Sequence, residues 1–192
     1  MNMGGKCYFG DDKKVAPNCT DNFQIVQGRF TSHGYKWYSV EQAFQALKFP
    51  EESNGRTEIY NLAPQNGETN ERYGMRVWIY GSRRPSTGHP KWIMRIDWDK
   101  EKIKAMYILN LNKYASNLSF QRELVNVTKR HQIIGKASTD SKRYDKNWSF
   151  WNGAIQMIIR EKILQKKDLN QEAAEVMKQT GKDVENMLLG VE

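Results

Sequence analysis

The sequence predicts an α+β fold, mainly helical with a small number of short strands, and three observations carry that prediction. Apolar residues recur at helical spacing in three stretches: Val40, Phe44 and Leu47; Ile103, Met106, Tyr107, Leu111 and Tyr114; Trp151, Ile155, Ile158, Ile159 and Ile163. Gly28-Arg29-Phe30-Thr31 and Tyr35-Lys36-Trp37-Tyr38 alternate around Ser32-His33-Gly34, the pattern of a β-hairpin. With 192 residues including 6 Trp, 9 Tyr and 7 Phe, the chain has the length and the aromatic content to bury a sizeable core.

Each element follows from local chemistry. Residues 7 to 27 lack a helical period and read as loop with one or two short strands. After the hairpin, Ser39 and Gln42 form a capping-box pattern, in which a hydroxyl and an amide each satisfy an orphan backbone N–H at the start of a helix. That helix should end before Pro50, because a residue preceding proline avoids helical geometry. The Gly-, Pro- and Asn-rich stretch 51 to 92 predicts a helix near Thr57 to Leu62 and a strand near Met75 to Tyr80. Asp97 or Asp99 is the expected N-cap of the second long helix. A shorter helix is expected from Ser119 to Val127. Beyond Asp168 lie two short amphipathic pieces broken at Thr180-Gly181. Such a tail could cap the core, form a dimer or bind a partner.

Charge and cysteine usage narrow the function classes. The net charge of +8 suits a polyanion or a phosphorylated ligand, or simply a solvated lysine-rich surface. The positive charge is scattered in doublets such as Lys13-Lys14 and Arg83-Arg84, so no stretch reads as a nucleic-acid arm. No segment approaches the ~18 apolar residues of a membrane span, and residues 1 to 6 lack the apolar core of a signal peptide. A cytoplasmic location with no membrane partner is the expectation. Cys7 and Cys19 then read as unpaired thiols. His33, His89 and His131 are too scattered for a zinc site, and no metal is expected. Neither a nucleophile elbow nor a P-loop nor a dinucleotide fingerprint is present.

Glu41 is the residue of most chemical interest on position alone. It lies in the first turn of its helix, where the dipole favours the ionised form that a base or a cation stabiliser needs. Gln45 and Lys48 follow it along the same face. The plainer reading is an ordinary helix-start acid.

The run Val40-Glu41-Gln42-Ala43-Phe44-Gln45-Ala46-Leu47-Lys48-Phe49 after Trp37 resembles the signature of the NADAR family, the YbiA-like N-glycosidases. Three further elements occur in the family's order: Asp21-Asn22-Phe23, Asp97-Trp98-Asp99, and Asp145 with Trp148 ahead of a last core helix carrying Met157 and Arg160. The likeness covers roughly residues 8 to 166, which implies a NADAR-like domain over 1–167 and a C-terminal helical extension over 168–192. The chain departs from the family at Gln42, often His, and at Ile133-Ile134-Gly135, where the family usually has a glutamate.

The resemblance implies a hydrolase that cleaves an N-glycosidic bond of a ribosylated, phosphate-bearing base. Two substrate classes are implied: the ribosylamino-pyrimidine phosphates of riboflavin biosynthesis, and ADP-ribose on a nucleobase, with nucleic acid as the carrier. Glu41 is expected to orient water or to stabilise the oxocarbenium-like sugar, Asp145 to be a second carboxylate, and Trp98 to be a stacking platform. Asn22, Phe23, Lys48, Trp148 and Arg160 are the expected substrate contacts, Lys48 and Arg160 toward phosphate. Lys48 and Arg160 also read as a solvated lysine and a structural arginine, and Trp98 and Trp148 as core tryptophans. No cofactor is expected, since plain hydrolysis needs none. The alternative is a non-catalytic ADP-ribose or nucleic-acid binding module with a degenerate site. Oligomeric state cannot be read from the sequence.

Overall fold

The computed structural model describes residues 5–82, 92–135 and 148–190, and within them the fold is α+β and mainly helical. Two antiparallel strand pairs are present among the described residues. One joins β1 (Cys7–Phe9) to β4 (Ile133–Gly135), and the other is the hairpin of β2 (Phe30–Ser32) and β3 (Tyr35–Trp37). The hairpin turns through His33 and Gly34, both at positive φ (52° and 78°), which is the backbone a tight two-residue turn requires. A 3-10 turn at Asn18–Thr20 lies between β1 and the hairpin.

The helix after the hairpin, α1 (Val40–Leu47), is buried on every side. Ser39 caps it by accepting from the Gln42 backbone N–H at 3.1 Å. The capping box closes only by half. The Gln42 amide passes over the cap residue and accepts from the Tyr38 N–H at 2.9 Å. Its NH₂ group meets the carbonyls of Ile59, Tyr60 and Leu62 at 3.0, 3.0 and 3.1 Å. Gln42 therefore ties α1 to the end of α2 (Asn54–Tyr60). Gln42→Ala takes the partner from the Tyr38 N–H and the Tyr60 carbonyl, while the Ile59 and Leu62 carbonyls keep the Leu62 N–H and the Tyr73 hydroxyl; unmade buried hydrogen bonds cost about 1–3 kcal/mol each. We expect a loss of at least about 2 kcal/mol in urea unfolding.

The expected strand near Met75 to Tyr80 is instead the second half of α3 (Asn70–Gly81). Val77, Trp78 and Ile79 favour strands locally, but Thr69 caps a helix by accepting from the Arg72 N–H. Tyr73 and Val77 are then buried one turn apart. Gly74 and Gly81, two turns apart on this helix, permit its close approach to the core. A Cβ at Gly74 would lie 2.1 Å from the Phe23 ring, and one at Gly81 2.0 Å from the Gln45 side-chain oxygen.

The long α4 (Trp98–Ala115) runs through the centre, with α1, α7 and α8 packed on it. Asp97 occupies its cap position but makes no side-chain cap, because its carboxylate pairs with Arg95 at 2.6 Å. Asp99 pairs with Lys102. Next come α5 (Leu118–Thr128), capped by Asn117, and α6 (Trp148–Leu164). The tail folds as α7 (Leu169–Met177) and α8 (Gly181–Leu189), a break where the sequence places it. Leu169, Ala173, Val176, Val184 and Leu188 join the main hydrophobic core, so the tail caps α4. No helix among the described residues is long and apolar enough to cross a membrane. Cys7 and Cys19 are buried unpaired thiols, both pushed up to about 12 by burial.

Candidate active site

Glu41 enters the interior at the N-terminal end of α1. Its backbone N–H donates to the Asn22 carbonyl at 2.9 Å, which fixes the helix start against the segment after the 3-10 turn. The side chain is wholly buried. The Gln45 amide, one turn on, donates to Oε1 at 2.5 Å, while Oε2 has no hydrogen-bond partner among the described residues. Burial pushes the carboxyl from 4.5 up to about 7; the Gln45 hydrogen bond and the Lys48 charge pull the other way, and Asp21 adds to the rise. Burial thus outweighs the helix-dipole preference on which the sequence argument rests. The result is a group poised between its two protonation states near neutral pH, which general acid–base work favours.

Lys48 completes a row along α1. Its ammonium donates to the Gln45 oxygen, so Gln45 links cation to carboxyl through one amide. The ammonium also lies 5.8 Å from the centre of the Phe44 ring. Phe44 in turn separates two tryptophans, with Trp98 at 5.0 Å and Trp148 at 5.2 Å between ring centres. The structure thus brings Glu41, Lys48, Trp98 and Trp148 around one short helix, although they are spread over more than a hundred residues of sequence. Both tryptophans are nearly covered, at 4 % and 9 % exposure. Stacking on either would use a ring edge or require its uncovering.

Asn22 anchors a buried polar chain behind Glu41. Its amide donates to Asn152 at 3.1 Å and its oxygen accepts from Asn110 at 3.2 Å. Gln156 donates to Asn110 at 2.9 Å, and Tyr114 donates to Gln156 at 2.6 Å. Tyr114 and Lys113 both reach the Cys19 carbonyl, at 2.8 and 2.7 Å. Burial pushes Lys113 down to about 8. Such a satisfied network holds its members rigid, and through Asn22 it sets the position of Glu41.

The remaining expected site residues have other neighbours. Phe23 is 1 % exposed and packs under Gly74. Arg160 gives its guanidinium to the Thr128 hydroxyl at 3.2 Å and the His131 carbonyl at 2.9 Å. It clamps the link from α5 to β4, and a phosphate would have to compete with those acceptors. Asp145 lies outside the described residues. Two groups were missed. Gln45, visible as the i+4 neighbour of Glu41, donates the hydrogen bond that its carboxylate receives among the described residues. Asp21, also raised by burial, adds negative charge near it and accepts from the Phe23 N–H at 2.8 Å. Two cavities formed by described residues, at Gly10 to His131 and at His33 to Met177, do not include Glu41. Among the described residues no group of three or more His, Cys, Asp or Glu could hold a metal.

No protein-family model, curated protein or solved structure matches this chain.

Proposed function

We propose that the protein is a hydrolase of the NADAR-like N-glycosidase type, cleaving the N-glycosidic bond of a ribosylated, phosphate-bearing base. The observation that carries the reading is the wholly buried Glu41 carboxyl, one oxygen of which has no hydrogen-bond partner among the described residues. A buried charge without full pairing is costly, and its retention points to a task. At a pKa near 7 the ionised half of the population can accept a proton from water. The same carboxylate can lie against the sugar as positive charge develops at the anomeric carbon. Lys48 offers the cation for a ribose phosphate or for ADP-ribose, and the Phe44, Trp98 and Trp148 cluster offers apolar rings beside a planar base. Each step uses acid–base and electrostatic groups of this chain alone, so the reading needs no cofactor.

A specific feature favours the second reading, a non-catalytic ADP-ribose or nucleic-acid binder. At Gly135, where the resemblance looks for a glutamate, a Cβ would lie 2.7 Å from the Asn152 side chain and 3.0 Å from the Ser149 carbonyl. A glutamate at that position would have to displace these neighbours.

Mass spectrometry of products separates the two. The purified protein is offered a ribosylamino-pyrimidine phosphate in one reaction and a guanine-ADP-ribosylated oligonucleotide in another. Release of ribose phosphate from the first, or of ADP-ribose from the second, is the expected result. Binding of ADP-ribose without release from either substrate would establish the binder, and inertness in all three respects would sink both readings.

A further inference from the structure

We propose that the cleft between the β2–β3 turn, α4 and the end of α7 binds a small phosphomonoester. Arg95 and Lys104 hold its phosphate, and Leu47, Ile108 and Met177 take its organic part. The site is separate from Glu41 and does not rest on the hydrolase reading. Leu47 is six residues beyond Glu41 on α1, about two-thirds of a turn round the helix and about 9 Å along it.

The cleft has a volume of about 300 Å³, the lower end of the range for small-ligand sites, which suits a sugar phosphate better than a dinucleotide. Four elements build it. From α4 come Glu101, Lys104, Ala105 and Ile108, at i, i+3, i+4 and i+7 on one face. Lys104 donates to the Gln179 carbonyl at 2.7 Å and pairs with Glu101 at 3.2 Å, which draws the end of α7 onto the wall. The Arg95 backbone N–H donates to the Lys48 carbonyl at 2.9 Å, fixing that segment on the end of α1. Its guanidinium meets Asp97 and remains about a third exposed, so it can reach a ligand.

Electrostatics supply the second argument. Arg56, whose charge acts on His33, is only 8 % exposed and lies 5.2 Å from the centre of the Tyr35 ring; among the described residues its Nε has no hydrogen-bond partner and no carboxylate pairs with it. Arg56 does not line the cleft, but its uncompensated charge adds to the positive field at His33, which does. His33 is held down to about 4, by burial first and then by Arg56, Arg95 and Lys104. Its neutral ring is therefore available as a donor. Asn112 donates to Ser32 Oγ at 2.8 Å, and Ser32 Oγ meets His33 Nδ1 at 2.9 Å. With the serine hydroxyl donating to Nδ1, the ring proton sits on Nε2. Glu101 and Asp97 are the acids beside three cations, so the balance stays positive.

The test follows the His33 ring by NMR while ribose 5-phosphate, inorganic phosphate or ribose is added to the full chain. Ribose 5-phosphate should give a saturable shift and raise the pKa of His33, because a bound anion offsets the three cations; ribose should give none. Arg95→Gln should weaken this binding about tenfold or more, as expected for loss of a charge-assisted contact. It should melt like the wild type, because the Arg95–Asp97 pair is partly exposed and stabilises little. Lys104→Gln should weaken binding as well. The proposal fails if no saturable response appears, if Arg95→Gln binds with unchanged affinity, or if inorganic phosphate binds as tightly as the sugar phosphate. A ligand seated only at Glu41 would leave the His33 signals unmoved, which also overturns it.

Discussion

Glu41→Gln should lower N-glycosidase turnover by about 10²–10⁴-fold, the usual contribution of one positioned acid–base group, while making the folded protein more stable above neutral pH. The two effects have one cause. Burial raises the carboxyl to about 7 in the folded state, against the 4.5 of a free glutamate, so between those values the folded state holds the extra proton. Its contribution to stability is full below the lower value and is lost as pH rises to the upper one. A shift of that size corresponds to about 3 kcal/mol. Glutamine keeps the acceptor for the Gln45 amide but carries no charge to desolvate. Urea unfolding of both proteins at about pH 5 and about pH 8 measures the difference, since shifts elsewhere cancel between them. A pH slope identical in the two proteins would refute the buried-charge account. In the active enzyme kcat/KM should rise with pH through about 7, because the base form is the working one.

Gly153→Ala is the second large expected effect, and its sign decides between two arguments. Gly153 lies inside α6, where alanine is the better helix former by about 1 kcal/mol. A Cβ there would stand 2.0 Å from the Ile133 carbonyl oxygen and 2.8 Å from its carbon, both backbone atoms of β4. Neither can rotate away, so α6 and β4 must separate. Overpacking typically costs about 1–3 kcal/mol, and a clash with backbone atoms lies at the upper end of that range, which outweighs the propensity gain. A fall in Tm of several degrees is expected; a rise would show that the helix–strand contact yields easily. Asn152 adjoins this residue and its oxygen accepts from the Asn22 amide, so the displacement should also disturb the Glu41 end of α1.

Much of the fold was legible because helical spacing of apolar residues is a local signal. The stripes through α1, α4 and α6, the hairpin around His33-Gly34 and the break at Thr180-Gly181 all occur where the residue pattern places them. The failures were non-local. Nothing near Met75 to Tyr80 announces that Gly74 and Gly81 must lie on Phe23 and Gln45, and that requirement selects a helix over a strand. Gln42 reads as a capping residue, yet most of its hydrogen bonds go to carbonyls of Ile59 to Leu62 in another helix. Asp97 reads as a cap, but the guanidinium two residues earlier wins its carboxylate. At the candidate site the position of Glu41 was legible and its burial was not. The helix-dipole argument points to a lowered pKa, whereas desolvation, which depends on the whole surrounding core, raises it.

The pairing of β1 with β4 bears on how the chain reaches its final state. Cys7 lies opposite Gly135, so these three-residue strands close a loop of roughly 130 residues, at an entropic cost of about 4 kcal/mol. Only a few main-chain hydrogen bonds return for it directly. Such a contact is unfavourable until α4 and α6 have already brought its two ends together. The small sheet is therefore a late seal on the helices, and β1 should leave β4 before β4 leaves α6, against which it is tightly packed.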